Sequence, residues 1–315
     1  MTALLAEVVR SGYVEGTHTG SVVVLRPDGS VALGLGDLER PVFPRSSNKP
    51  LQAVALLDAG WEPASEEQLA LATASHNGEP GHLEVVRAML GELGEDALGN
   101  PPMPPLSEQA WHQILRAGGA ATRLTMNCSG KHAAMLRTTV ANGWDLASYL
   151  GVEHPVQRAC LHGVERLAGE HVRHVAVDGC GAPQHALTLP GLARAFSALV
   201  LGGEHERRTG AAMRAHPWHV GGTGRDVTRL MQGVPGLVAK DGAEGVYAAA
   251  LSDGTAVALK ITDGAGRART PVLVAALRAV GVDAPVLDEL AATPVLGGGV
   301  RVGEVRVAGK LAARG

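Results

Sequence analysis

Apolar positions follow two rhythms along this chain. Short runs rich in β-branched residues lie towards both ends, and longer stretches with a helical spacing of apolar residues fill the middle. Residues 20–26 (GSVVVLR) and 30–35 (SVALGL), joined by Pro27-Asp28-Gly29, predict a β-hairpin. Strands are predicted again after Glu170, at 172–177 (VRHVAV), 236–240, 245–254 and 255–264, with Asp253-Gly254 as a turn, and 299–308 (GVRVGEVRVA) predicts a closing strand. Between these ends, helices are predicted from Lys49 to Gly60 and over 81–93, 107–117, 129–142, 155–168, 191–201 and 204–215, with a last one at 270–280. Ser65-Glu66-Glu67-Gln68 is a capping-box pattern that opens a short helix ending near Ala74, and the proline-rich 100–106 is a connector. The expected fold class is α/β: a mixed, largely antiparallel sheet built from both chain ends (about 1–45 plus 171–315) with a helical lobe (about 46–170), in a single domain over 1–315.

Composition narrows the function without choosing it. A chain of 315 residues with 45% hydrophobic side chains can bury a large core. Its 28 basic and 31 acidic residues leave a net charge of −3, and aromatics make up 3%, so neither the electrostatic attraction nor the stacking platform of a nucleic-acid binder is present. The first sixteen residues carry no basic leader and place Glu7 within their short apolar run, so no signal peptide or spanning helix is expected, and the expected location is cytoplasmic. Three cysteines argue against a disulfide framework and leave thiols for burial, metal or chemistry.

Three stretches concentrate reactive groups. In Arg45-Ser46-Ser47-Asn48-Lys49-Pro50, Ser46 and Lys49 lie at i and i+3 where a helix begins, so hydroxyl and amine share a face, whereas Ser47 does not. A lysine acts as a base for such a serine once its pKa falls by about 3 units from ~10.4, at a cost of roughly 4 kcal/mol. A lone Ser-x-x-Lys is more often a helix cap beside a solvated lysine, so the pattern needs support from elsewhere. The second stretch, Asn127-Cys128-Ser129-Gly130-Lys131-His132, puts Cys128, Lys131 and His132 on one helix face. The third, Asp178-Gly179-Cys180-Gly181, brings another thiol in a loop. Two thiols on separate loops suit a zinc site, with buried inert cysteines as the plain alternative; Cys160, inside a helical pattern, reads as core.

Taken together, RSSNKPLQA, ASHNGE, NCSGKHAAML and DGCGAPQHALTLPGLARAF, in that order, resemble the class of L-asparaginases typified by the inducible rhizobial enzymes, over nearly the whole chain. The resemblance implies a fold like that of serine β-lactamases and glutaminases, a homodimer, and hydrolysis of L-asparagine to L-aspartate and ammonia by a single catalytic domain. It implies two Ser-Lys pairs, Ser46 with Lys49 and Ser75 with Lys260, and a zinc ion held by Cys128, Lys131 and Cys180 near the substrate. Arg45 and Asp178 match positions bordering that pocket. Residue chemistry alone favours His132 over Lys131 as a metal ligand, because zinc needs a neutral amine; with Lys131 as ligand, His132 stands behind the site or against the substrate. Local spacing favours Ser46 as the attacking group.

Other readings share parts of this pattern. A glutaminase or another serine amidase of β-lactamase-like fold would use the same Ser-Lys logic, and a thiol hydrolase would pair Cys128 with His132. A non-catalytic, zinc-stabilised amino-acid-binding protein would bind without turnover. Lys240-Asp241-Gly242 resembles the Lys-Thr/Ser-Gly element of β-lactamase-like folds but lacks its hydroxyl, and is given no role.

Overall fold

The computed structural model describes residues 1–313 of the chain. In chain order, strands β1 (Ala3–Arg10), β2 (Tyr13–Leu25) and β3 (Val31–Leu35) lead through a 3-10 turn, Arg45–Asn48, into helix α1 (Lys49–Asp58). Helices α2 (Glu66–Ala72), α3 (Pro80–Leu90), α4 (Glu108–Arg116), α5 (Ser129–Ala141) and α6 (Pro155–Ala168) follow, then the short strands β4 (Val175–Val177) and β5 (Pro183–His185). Helices α7 (Leu189–Leu201), α8 (Glu204–Ala215), α9 (Pro217–Val220) and α10 (Asp226–Gly233) precede β6 (Val238–Gly242), β7 (Val246–Ala250) and β8 (Ala256–Ile261). The last described elements include α11 (Gly266–Arg278), α12 (Pro285–Leu290), β9 (Ala292–Gly297) and β10 (Val300–Val307). No described helix is long and apolar enough to cross a membrane.

The fold is the expected α/β type with an antiparallel sheet drawn from both ends of the chain. The chain divides into two compact units. The first comprises Met1–Ser47, Ala186–Leu201 and the residues from Arg229 on. Its sheet runs β6-β7-β8-β2-β1-β10-β9, with β3 also paired to β2. Every ladder is antiparallel, and β1 joins the two termini by pairing with β2 on one side and β10 on the other (Ala6 opposite Val307). Strands β6 and β7 are buried along their whole length, so they lack the polar alternation of a strand with one wet face. Helices α7 and α11 pack on this sheet, α7 against β2, β7 and β8 and α11 mainly against β8 and β10.

The edge strand β6 lies against the chain segment that carries Ser46. A Cβ on Gly242 would come within 2.5 Å of the Pro44 carbonyl oxygen, so only glycine admits this approach. Behind it, Lys240 is fully buried and donates to Asp241 Oδ1 at 2.8 Å, while Arg269 holds Asp241 Oδ2 at 3.0 Å and the Gly242 carbonyl at 2.7 Å. A buried cation paired to a carboxylate that is itself held by a second cation keeps its desolvation compensated.

The second unit comprises Asn48–His185 and Gly202–Thr228. It is helical apart from the β4–β5 ribbon, and it differs from the expected 46–170 lobe by including that ribbon and the segment from α8 to the start of α10. The predicted strand at 172–177 shrinks to Val175–Val177 and belongs to this ribbon rather than to the large sheet. Helix α1 packs against α5, α6 and α8, and α2 against α5 and α8. Ser65 caps α2 by accepting from Gln68 N–H, as its capping-box pattern predicts.

Candidate active site

Lys49 is the first residue of α1, with Pro50 following where a missing N–H costs no helical bond. Its side chain is 1% exposed, and its Nζ donates to the Ala74 carbonyl at 2.5 Å and to Ser75 Oγ at 3.2 Å. These two acceptors lie just after the end of α2, so the helix delivers the serine to the lysine. Ser75 itself is 3% exposed. A lysine this deeply buried retains its place only through such polar partners.

The Ser75 strand of chain is held from its other side by residues 220–225. Ser75 N–H donates to the Val220 carbonyl (3.1 Å), Asn77 N–H to the Gly221 carbonyl (2.9 Å), and Arg225 reaches back to the Ser75 carbonyl at 3.1 Å. Glu79 ties the same loop down by accepting from Thr223 N–H and the Thr223 hydroxyl, at 2.8 and 2.7 Å. Gly222 has φ of +119°, and a Cβ there would sit 2.5 Å from the Asn77 side chain. Both conditions demand glycine.

The thiols converge nearby in the same unit. Cys128 immediately precedes α5 and is 4% exposed, Lys131 follows one turn on at 3%, and Cys180, at the tip of the β4–β5 hairpin, is 1% exposed. Lys131 Nζ donates to Cys180 Sγ at 3.0 Å, and Asp178 Oδ2 lies 3.6 Å from the same sulfur. Met126, Ala182 and Leu150 pack around the two thiols. A hydrogen bond from Cys128 and the Lys131 charge hold the Cys180 thiol well below its ordinary pKa despite burial, while its bond to Cys180, together with burial, raises that of Cys128. Burial opposes the Lys131 charge, but the two sulfurs outweigh it and its pKa is raised.

His132 stands behind this cluster with no exposed surface, its Nδ1 2.7 Å from Tyr149 Oη, which also accepts from Gly99 N–H. Burial lowers the His132 pKa against the pull of the Cys180 sulfur, and burial pushes the Tyr149 hydroxyl up to about 12. Cys160 is fully buried elsewhere and burial pushes its thiol up to about 12, the profile of a core residue. Among the described residues, no three histidine, cysteine, aspartate or glutamate side chains form a metal cluster. Cys128, Cys180 and Lys131 make up a set of two thiols and one amine in the second unit. Cys128 and Cys180 are buried in one cluster and suit a thiophilic ion such as zinc, and Lys131 can join them as a ligand only after giving up the proton it donates to Cys180.

The remaining predicted residues belong to the first unit. Ser46 is half-buried in the 3-10 turn, next to Ser47, whose hydroxyl donates to the Pro44 carbonyl at 2.6 Å. Arg45, with φ of +52°, is one of three non-glycine residues at positive φ among those described; another is Glu244, whose carboxylate is 3.9 Å from the Arg45 guanidinium. This backbone geometry costs about 1–2 kcal/mol and is held in place by the turn around it. Lys260, on β8 opposite Ser21 and Val246, donates to the Glu244 carbonyl, so Arg45 and Lys260 meet at one residue. Burial lowers the Lys260 pKa against the opposing pull of Glu244 and Asp263.

Sequence spacing singles out Ser46, Lys49, Cys128 and Lys131, and says nothing of which distant segments meet them. The Lys49–Ser75 contact spans 26 residues, and the Arg225 and Glu79–Thr223 clasps span about 150 residues. The local signals were present as Asn77-Gly78 and the glycine-rich 221–224, which mark tight backbone without naming what it approaches.

A family model described as L-asparaginase II matches residues 6–307. No curated protein matches the chain. Among solved structures, Mglu in its native form is similar at 14% identity with a TM-score of 0.44, over 81% of this chain and 61% of that one. A Bacillus glutaminase is similar at 15% identity and TM-score 0.41, over 78% and 83%. A putative β-lactamase from Bacteroides dorei is similar at 14% identity and TM-score 0.45, over 77% and 84%. The chain thus spans about three fifths of the length of Mglu.

Proposed function

The chain belongs to the L-asparaginase II family, a family of amidohydrolases, and on that premise we propose that it hydrolyses L-asparagine to L-aspartate and ammonia by serine acyl transfer. The observation that carries the reading is the buried contact of Lys49 Nζ with Ser75 Oγ, a lysine and a serine hydroxyl placed to exchange a proton.

In this reading Ser46, one helical turn before Lys49, is the nucleophile. It keeps part of its surface open, whereas Ser75 is 3% exposed, and an attacking oxygen has to be reached by the substrate's amide carbon. Ser46 Oγ bonds to that carbon as its proton passes to Lys49. The proton then moves by way of Ser75 to the amide nitrogen, which leaves as ammonia. Water, deprotonated by the same groups, cleaves the aspartyl ester and returns the proton to Ser46. Lys260, with its lowered pKa, serves as the second amine of the paired Ser-Lys arrangement, and Arg45 and Asp178 border the substrate. His132 supports the pocket from behind.

Cys128, Lys131 and Cys180 would hold zinc, which when bound would supply a cationic anchor for the polar end of the amino acid. Because a Ser-Lys pair already provides the nucleophile, that anchor serves orientation. Chelation is expected to raise KM more than it lowers kcat. Steady-state kinetics with matched metal analysis checks this, and complete loss of kcat at saturating asparagine with the fold intact would overturn the purely orienting role. The reading includes a homodimer in the cytoplasm acting on a small molecule, with no nucleic-acid or membrane partner. Mass in solution tests the dimer.

The decisive measurement is ammonia release from L-asparagine and L-glutamine by the wild type and by Ser46→Ala, Ser75→Ala and Cys128→Ala, with metal content measured in each. The expected result is a marked preference for asparagine and near-total loss in Ser46→Ala. A preference for glutamine makes the protein a glutaminase, and amino-acid binding without turnover makes it a binding protein. Mass spectrometry of protein trapped with a slow or activated amide is expected to place the acyl group on Ser46, and an adduct on Ser75 reverses the assignment.

A further inference from the structure

Between the Ser75 segment and the Cys128–Lys131 turn lies a histidine that the scheme above does not use. His76 is fully buried, with Nε2 2.9 Å from Ser129 Oγ and Nδ1 accepting from Gly78 N–H at 3.1 Å. A backbone N–H can only donate, so Nδ1 carries the lone pair and the ring hydrogen is on Nε2. That hydrogen points to Ser129, which is fully buried in the first turn of α5, between Cys128 and Lys131. The neutral form is further favoured because burial, then His82, Lys49 and Arg225, hold the His76 pKa well below its ordinary value.

The ring is also fixed in orientation. It stacks on His82 with centroids 5.3 Å apart, and His82 stacks on Trp218 at 3.9 Å. His82 has the same tautomer for the same reason: Glu79 N–H donates to its Nδ1 and its Nε2 donates to the Trp218 carbonyl. The Ser75–Glu79 loop and the start of α5 are thus joined by one directional hydrogen bond from a clamped ring. Close backbone approach reinforces the junction, since a Cβ on Gly130 would lie 2.6 Å from the Leu71 carbonyl at the end of α2.

We propose that His76 is a positioning residue which, as a neutral Nε2–H donor to Ser129, sets the Ser75–Lys49 pair in register with the Cys128–Lys131 turn. The proposal rests on the amidohydrolase reading for its effect on turnover. The hydrogen bond itself is independent of that reading. Misplacement of reacting groups by about 1 Å can cost about 100-fold in rate, so a single bond at this junction is enough to matter.

The test compares His76→Gln, His76→Phe, Ser129→Ala and the double variant His76→Phe/Ser129→Ala. Glutamine places an N–H where Nε2–H was, and phenylalanine keeps the stack without the donor. His76→Phe and Ser129→Ala are each expected to lower kcat for asparagine by about 10- to 100-fold with KM within about threefold. The double variant should lose no more than His76→Phe alone, and His76→Gln should stay within about threefold of the wild type. Losses that multiply in the double variant would overturn the proposal. So would a His76→Gln variant as impaired as His76→Phe at an unchanged urea midpoint. Long-range proton–nitrogen spectra of the imidazoles provide a second arm that needs no turnover. They should show His76 as neutral Nε2–H from pH 5.5 to 8, with its Nε2 resonance displaced in Ser129→Ala. A resonance indifferent to Ser129→Ala, or an Nδ1–H ring, sinks the proposal. Failure of the wild type to release ammonia from either amide would sink the amidohydrolase reading alone, and the spectra would still decide the bond.

Discussion

Lys49 has to be both buried and useful. Its amine is taken out of water at 1% exposure and is held there by two acceptors, one of them the Ser75 hydroxyl. Lys49→Met keeps the aliphatic volume and removes the proton acceptor. Asparagine turnover is expected to fall about 1,000-fold while the urea midpoint moves little, a comparison that separates catalysis from folding. Ser75→Ala removes only the relay, and kcat is expected to drop about 10- to 100-fold; a wild-type kcat would show that the proton travels another way. Half of this chemistry is legible in the sequence because i and i+3 on a helix are neighbours by geometry. The other half is not, because Ser75 reaches Lys49 only after α2 has packed beside α1.

At the scale of elements, the helices were largely legible and the strands less so. Predicted 129–142 and 155–168 correspond to Ser129–Ala141 and Pro155–Ala168, where a proline or a capping residue marks the start. Strand β1 is hidden in the sequence by Glu7, which interrupts its apolar run, yet Glu7 faces Arg306 on the paired strand and forms an ion pair with it. Strand β9, with Pro294 inside it and Gly297 at its end, carries no strand signal in the sequence and is a strand because β10 pairs with it. Helix junctions are set by small residues. Gly130→Ala would press a methyl group against the Leu71 carbonyl at 2.6 Å and is expected to cost about 2 kcal/mol, read by urea unfolding, with activity falling as α5 shifts. An unchanged midpoint would mean that α2 and α5 slide apart freely.

For the molecule as a whole, buried neutral histidines set the response to acid. Burial lowers the pKa of His82 and of His185 to about 4, against about 6.5 in the unfolded chain. Unfolding therefore takes up protons below pH 6.5, so the stability these residues contribute is complete above that pH, declines as pH falls and is gone near pH 4. Each accounts for at most about 3 kcal/mol. Urea midpoints are expected to drop between pH 6.5 and 4, with a shallower slope in His82→Gln. A midpoint flat across that range would show that both rings are protonated in the folded state.

The sequence by itself determined the class of elements, the Ser46–Lys49 spacing, the Cys128–Lys131 helix face and the motif order that pointed to the family, because these depend on local periodicity and on residue type. Tertiary structure alone decided that Lys49 meets Ser75, that Lys131 meets Cys180 and that His76 meets Ser129. Each of these pairs joins segments tens of residues apart, and no local rule fixes their distance. They come together because backbones close on one another at glycines 130 and 222 and because apolar helix faces are buried against each other. Hydrogen-bonding groups carried into that interior have to find partners there, and those partners make up the site.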